Sequence, residues 1–109
     1  MGSKIEFNWA LKLKPENGLN EDLLKENEIY EFTKSGNRVY PINIPIDLIN
    51  QDWVALARVI IIEYTNKENL TMGKFRVVRI YNEEQKRAIT DYWKQDLQTL
   101  KDVGAISKD

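Results

Sequence analysis

"WVALARVIIIEYTNKENLTMGKFRVVRIY", residues 53–81, decides the fold. Its β-branched centre, Val59 to Ile62, is apolar at consecutive positions, which predicts a central strand over 53–65 with both faces covered. "NKEN" suits a hairpin connection, and "LTMGKFRVVRIY" gives a second strand over 70–81. Gly73 inside that strand marks a bulge or a close backbone contact. Directly afterwards the pattern changes to that of a helix. Ile89, Tyr92, Trp93, Leu97 and Leu100 are spaced for one apolar face, and the helix is expected over 83–103. Asn82 and Gln85 resemble a capping box, and Glu83 and Glu84 stand in the first turn, where the helix dipole favours acids. Gly104 is placed to stop the helix, leaving 104–109 as a loose tail.

Upstream, "KIEFNWALKL" alternates with a period of two, predicting a strand over 4–14. Ile5, Phe7, Trp9, Leu11 and Leu13 share its apolar face. Pro15, Asn17 and Gly18 end it, and an acidic connector follows with a helical turn near Leu23 and Leu24. "EIYEFTK" gives a strand over 28–34, and Ser35-Gly36-Asn37 a turn. "RVYPINIPIDLI", 38–49, reads as a further strand with Tyr40, Ile42, Ile44, Ile46 and Leu48 on one face. Pro41 and Pro45 lie on the other. A proline cannot donate to a ladder, so the pair predicts an edge strand that a second chain cannot join, or a barrel-crossing strand. Five strands and then a helix give one α+β domain over 1–109. Its simplest form is a small curled antiparallel sheet or open β-barrel with the helix packed against it.

Composition excludes much chemistry. The 109 residues suit a single core that buries roughly two-thirds of the unfolded chain's surface. A net charge of −1 gives no overall attraction to nucleic acid or anionic lipid. With no cysteine there is no disulfide, thiol nucleophile or thiolate metal site, and with no histidine the commonest general base is missing. "MGSKIEFNWA" lacks the apolar core and cleavage motif of a signal peptide, and Glu6 breaks a myristoylation pattern. No apolar run is long enough to span a bilayer. The expectation is a cytoplasmic protein without a membrane partner.

Walker, dinucleotide, nucleophile-elbow and calcium-loop motifs are all absent. No catalytic residue, metal or cofactor is therefore expected. Asp47 and Asp52 flank one turn and could approach each other, and Arg58, inside the most apolar strand, could pair with Glu63 or Glu31. Charge is segregated: residues 15–31 carry a net −5 and residues 74–87 a net +3. Two binding readings follow. The first is a non-enzymatic module that binds a protein partner, or itself, through Tyr40, Pro41, Pro45 and Trp53. The alternative is a small barrel for RNA or single-stranded nucleic acid, using Lys74, Arg76, Arg79 and Tyr81, where basic and aromatic residues interleave. The near-neutral total charge favours the first. Trp9 and Trp93 are expected in the core.

"IEFN", "RVYPINIPIDLI" and "ALARVIIIEYTNKENLTMGKFRVVRIY" together resemble an uncharacterised family of small proteins from bacilli and cyanobacteria with an EFN…YPxxIPI…AxV pattern. The resemblance covers roughly residues 1–81 and is most specific at the double-proline segment. It implies no site residues, because the family carries no assigned function. The acidic connector and C-terminal helix depart from the pattern. A second likeness, through "LLKENEIYEF", runs to small RNA-associated barrels related to the pseudouridine-synthase/archaeosine-transglycosylase domain. Asn27 stands there in place of glycine, and the basic signature is absent.

Overall fold

The computed structural model describes residues 5–7 and 9–102, with the side chains of 9–95. Among the described residues seven strands, β1 (Ile5–Phe7), β2 (Ala10–Lys12), β3 (Ile29–Ser35), β4 (Asn37–Val39), β5 (Pro45–Ile49), β6 (Ala55–Lys67) and β7 (Leu70–Ile80), precede one α-helix, α1 (Glu83–Asp102), and two 3-10 turns, Pro15–Asn17 and Glu21–Leu23, lie in the acidic connector. The expected stop at Gly104 and the tail 104–109 lie outside the described residues, as do the side chains of Ile5, Phe7, Leu97 and Leu100.

The β6–β7 hairpin is the spine. Its two-residue loop is Glu68-Asn69, both at positive φ (54° and 62°). That is the turn geometry whose twist matches the flanking strands. Register shifts between Arg58 and Val59 and between Ile61 and Glu63 interrupt the ladder. A third lies in β5 between Leu48 and Ile49. Such bulges bend strands and increase twist, and here the five-stranded sheet β2-β5-β6-β7-β3 curls into a half-barrel. Gly73 stands where a β-carbon would lie 2.6 Å from the Glu63 carbonyl oxygen and 2.9 Å from the Phe32 ring. Only a hydrogen fits there.

The sheet is mixed, a departure from the all-antiparallel expectation. β5–β6, β6–β7 and β3–β7 run antiparallel, while β2 runs parallel to β5. Parallel neighbours need a long crossover. Here the connector, β3 and β4 supply it, so β2 cannot be read locally as a hairpin arm. β1 also pairs in parallel, with β4.

The concave side holds the core. Leu11 and Leu13, Phe32, Ile46 and Leu48, Val59 and Ile61, and Phe75 and Val77 pack together with Tyr40. Phe32 meets Tyr40 edge-on at 5.7 Å between ring centroids, and Tyr30 stacks on Phe75 at 5.6 Å. Trp9 does not join them. It is 71% exposed, because the regular alternation of this strand starts only at β2.

The double-proline segment is not one edge strand. After β4 the chain leaves the sheet at Tyr40–Ile44, with Asn43 at φ 60° and its N–H donating to the Ile61 carbonyl at 3.0 Å. Pro41 and Pro45 bracket this bend, and Pro45 is the first residue of β5, a position where a missing donor is tolerated. The bend turns Ile42 and Ile44 outward, whereas Tyr40 and Ile46 are buried as the alternation requires. β5 itself is interior, between β6 and β2. The true edges are covered by other groups. The Asn17 amide donates to the Thr33 carbonyl of β3 at 2.8 Å, and the Lys34 ammonium donates to the Lys12 carbonyl of β2 at 2.5 Å.

The helix begins with the expected capping box. The Gln85 N–H donates to Asn82 Oδ1 at 2.8 Å, and the Asn82 N–H to Gln85 Oε1 at 3.0 Å. α1 lies on the outer side of the half-barrel, where the Ala55 N–H donates to Thr90 Oγ1 at 3.0 Å. Trp93 is half-buried at this contact, but Tyr92 faces solvent, so the apolar stripe is narrower than its spacing suggests.

Candidate functional site

Strand register fixes what the outer face of the half-barrel presents. With Phe75 and Val77 buried on the concave side, the neighbouring residues of β7 point outward. Pro45 pairs with Ile60, Ile60 with Arg76, and Arg76 with Ile29. These four form a single row across β5, β6, β7 and β3, with one cation inside an apolar run. Pro45 and Arg76 are exposed and Ile60 is half-buried. Ile29 is 55% exposed, and Ile44, beside Pro45, is 54% exposed. Arg76 forms no ion pair among the described residues.

The adjacent row is different. Lys74 stands between Glu31 and Glu63, with its ammonium 4.0 Å from the Glu63 carboxylate. Two acids beside one lysine cancel the potential that a phosphate backbone would need. Arg79 is exposed opposite Arg58. Tyr81, the fourth residue of the nucleic-acid reading, is buried and cannot stack a base.

Tyr81 instead belongs to a polar cluster under α1. Its hydroxyl donates to Asp47 Oδ1 at 2.5 Å, and the Trp93 indole N–H donates to Asp47 Oδ2 at 2.8 Å. Arg58 lies 3.5 Å from the same carboxylate. Asp47 and Arg58 are direct cross-strand partners, so the arginine pairs with neither Glu63 nor Glu31. Burial pushes the Tyr81 phenol up to about 12, and its hydrogen bond to the Asp47 carboxylate adds to the rise. This cluster fastens the helix to the sheet. Asp52 lies exposed in the following turn, and no contact joins its carboxylate to Asp47.

The residues of the first binding reading are not brought together. Tyr40 is buried, its ring in the core and its N–H donating to the Tyr64 hydroxyl at 3.3 Å. Pro41 and Pro45 lie at the start of β5. Trp53 lies beyond its end, roughly 13 Å of strand away at about 3.3 Å per residue. Trp53 is held at φ 64°, a conformation that costs a bulky residue on the order of 1–2 kcal/mol. Asn50 enforces it: its carbonyl accepts from the Trp53 N–H at 3.0 Å, and its side chain accepts from Asp52 and Val54. The Lys12 ammonium lies 4.1 Å from the centroid of the indole.

Pro45 is therefore the residue of that reading that remains on the apolar row, and Arg76 joins it from the other. Ile29, Ile44 and Ile60 were not identified from sequence. The available signal was Ile29, an apolar residue on the solvent-facing set of a strand whose other set, Tyr30 and Phe32, fills the core.

No protein-family profile matches the chain, and none of the curated proteins compared matches it. Among solved structures, the X-ray crystal structure of protein ytmB from Bacillus subtilis, a structural-genomics target, is similar with a TM-score of 0.60. The two are 23% identical, over 74% of this chain and 95% of that one. At that identity the likeness establishes the half-barrel fold that the two chains share.

Proposed function

We propose that the protein is a non-enzymatic binding module that docks a protein partner on the convex face of its half-barrel. The observation that carries this reading is the in-register row Pro45–Ile60–Arg76–Ile29, with Ile44 beside it. Exposed apolar residues around an arginine have the composition of an interface centre. Covering the exposed halves of Ile29 and Ile44 contributes about 1 kcal/mol each. Arg76 then selects a partner with an acidic group among apolar side chains. This reading takes the module to be cytoplasmic and akin to the small bacterial family whose EFN…YPxxIPI…AxV pattern it resembles. The fold it shares with a Bacillus subtilis protein supports the kinship. Binding of RNA or single-stranded nucleic acid has less support, because Glu31 and Glu63 flank Lys74 and Tyr81 is buried.

The test is capture of partners from a nuclease-treated bacterial lysate on three immobilised proteins: wild type, Arg76→Glu and Ile44→Asp. Both substituted positions are exposed, so unchanged circular dichroism and melting are expected. A protein retained by wild type and lost by both variants supports the reading. An identical set on all three refutes it.

A further inference from the structure

We infer that the partner of the convex face is a second copy of this chain, which docks through its acidic connector. The inference rests on the reading of that face as a docking surface and names its occupant.

The basic character of the face extends past Arg76. Arg58 and Ile60 are two residues apart on β6 and point to the same side, and their partners on β7 are Arg79 and Arg76. Arg79 therefore stands on the convex face about 7 Å along the sheet from Arg76, at roughly 3.3 Å per residue. Arg58 faces Arg79 directly across the ladder, and like charges so placed repel. Asp47 answers Arg58, at 3.5 Å. Arg76 and Arg79 are exposed and form no ion pair among the described residues. On the other side the patch is bounded by Glu31 and Glu63 around Lys74. A confined basic surface with Ile29, Ile44 and Ile60 in it calls for carboxylates beside an apolar group.

The chain carries that complement itself. Residues 15–31 have a net charge of −5. Within them the turn Glu21–Leu23 presents Leu23, 60% exposed, beside Asp22, with Glu26 exposed just beyond. The turn is fixed before any partner arrives. The Tyr30 hydroxyl donates to the Leu23 carbonyl at 2.9 Å and accepts from the Lys25 N–H at 2.8 Å. Leu24 packs against the core and Leu23 is left outside. A knob already held in place loses little freedom on docking.

Topology sets how two copies meet. The connector crosses the concave side: Leu19 is buried in the core there, and the Asn50 amide beyond β5 donates to Glu21 Oε2 at 3.3 Å. The arginine patch is on the convex side, so a copy cannot bring its own knob to its own patch. Surfaces on opposite sides of one molecule pair head to tail, and each copy still offers a free patch or knob to the next. The contact is small and charge-rich, which places it in the weak, salt-sensitive class.

The experiment is sedimentation of the full chain between about 20 μM and 1 mM, at roughly 50 and 500 mM salt. The mean mass should climb with concentration from that of one chain, 12.8 kDa, and climb less at high salt. Two variants separate the faces: Arg76→Gln with Arg79→Gln, and Asp22→Asn with Leu23→Ser. All four positions are exposed, so unchanged circular dichroism is expected. Neutral replacements also create no new pair of opposite charges. Each variant alone should associate roughly tenfold or more weakly. Their equimolar mixture keeps one intact patch and one intact knob, and should form a heterodimer that grows no further. A monomeric wild type over the whole range, variants that associate like wild type, or a mixture that stays monomeric would overturn the inference. If the wild type is monomeric while its convex face still retains a lysate protein, the second copy falls and the docking reading stands.

Discussion

Replacing Asp47 by alanine should detach α1 from the sheet without touching the concave core. Three groups lose their acceptor at once. The Tyr81 hydroxyl and Trp93 indole bonds, at 2.5 and 2.8 Å, converge on a carboxylate whose side chain is 14% exposed. Hydrogen bonds to a charged acceptor contribute about 1.5–3 kcal/mol each, but solvent can enter once the helix shifts, so the lower end applies. Arg58 is 41% exposed at its side chain, and its ion pair adds less than about 1 kcal/mol after solvent screening. The sum is on the order of 3 kcal/mol. For a domain of this size each 1 kcal/mol moves the melting temperature by roughly 4–8 °C, so a fall of more than about 10 °C is expected. Urea unfolding followed by circular dichroism measures the loss, and hydrogen exchange locates it in residues 83–95. Asp47→Asn retains one acceptor oxygen and should recover about half. A change below about 0.5 kcal/mol in Asp47→Ala would refute the view that this cluster anchors the helix.

Tyr81 predicts a pH dependence. Its phenol is held at about 12 in the folded protein against 10.0 normally, so the folded state keeps a proton that the unfolded chain releases. This contribution is complete below pH 10 and is lost as the pH climbs from 10 toward 12. Tyr81→Phe should flatten that part of the stability profile and remove from the ultraviolet titration a tyrosine that ionises at about 12. Gly73→Ala should cost about 1–3 kcal/mol by urea unfolding, because its new carbon would stand 2.6 Å from the Glu63 carbonyl. A neutral result would mean that β6 and β7 can part locally. Asn17→Ala should strip the cover from the Thr33 carbonyl, costing about 1 kcal/mol and promoting association through β3, visible by sedimentation at rising concentration.

What could be read from the residues was what depends on near neighbours. The β6–β7 hairpin, the buried Leu11 and Leu13, the Asn82–Gln85 box and the tight place at Gly73 all follow from patterns a few positions long. What failed depended on register between distant strands. Nothing around Arg58 names Asp47 as its partner; the antiparallel pairing of β5 with β6 does. Alternation also implied that Ile42 and Ile44 were inside, and one left-handed residue, Asn43, put them outside. The convex row has the same origin. Ile29, Ile60, Arg76 and Pro45 are unremarkable one by one, and they become a surface only when four strands align them.

The parallel pairing of β2 with β5 bears on the order in which the chain assembles. β6 and β7 meet through a two-residue loop, a contact that forms in about 1–10 μs. β2 joins residues 10–12 to residues 47–49, so its ladder must wait for a long loop to close. The kinetic hypothesis is that β2 docks last, on a template already built by the other four strands. Pulse-labelled exchange should then protect Val59–Ile61 before Leu11, and simultaneous protection would argue against it. Because Lys34 donates to the Lys12 carbonyl of β2, the final folding event would also be the one that joins the two edges of the half-barrel. Truncating β2 should then open the half-barrel on that side while leaving the hairpin intact.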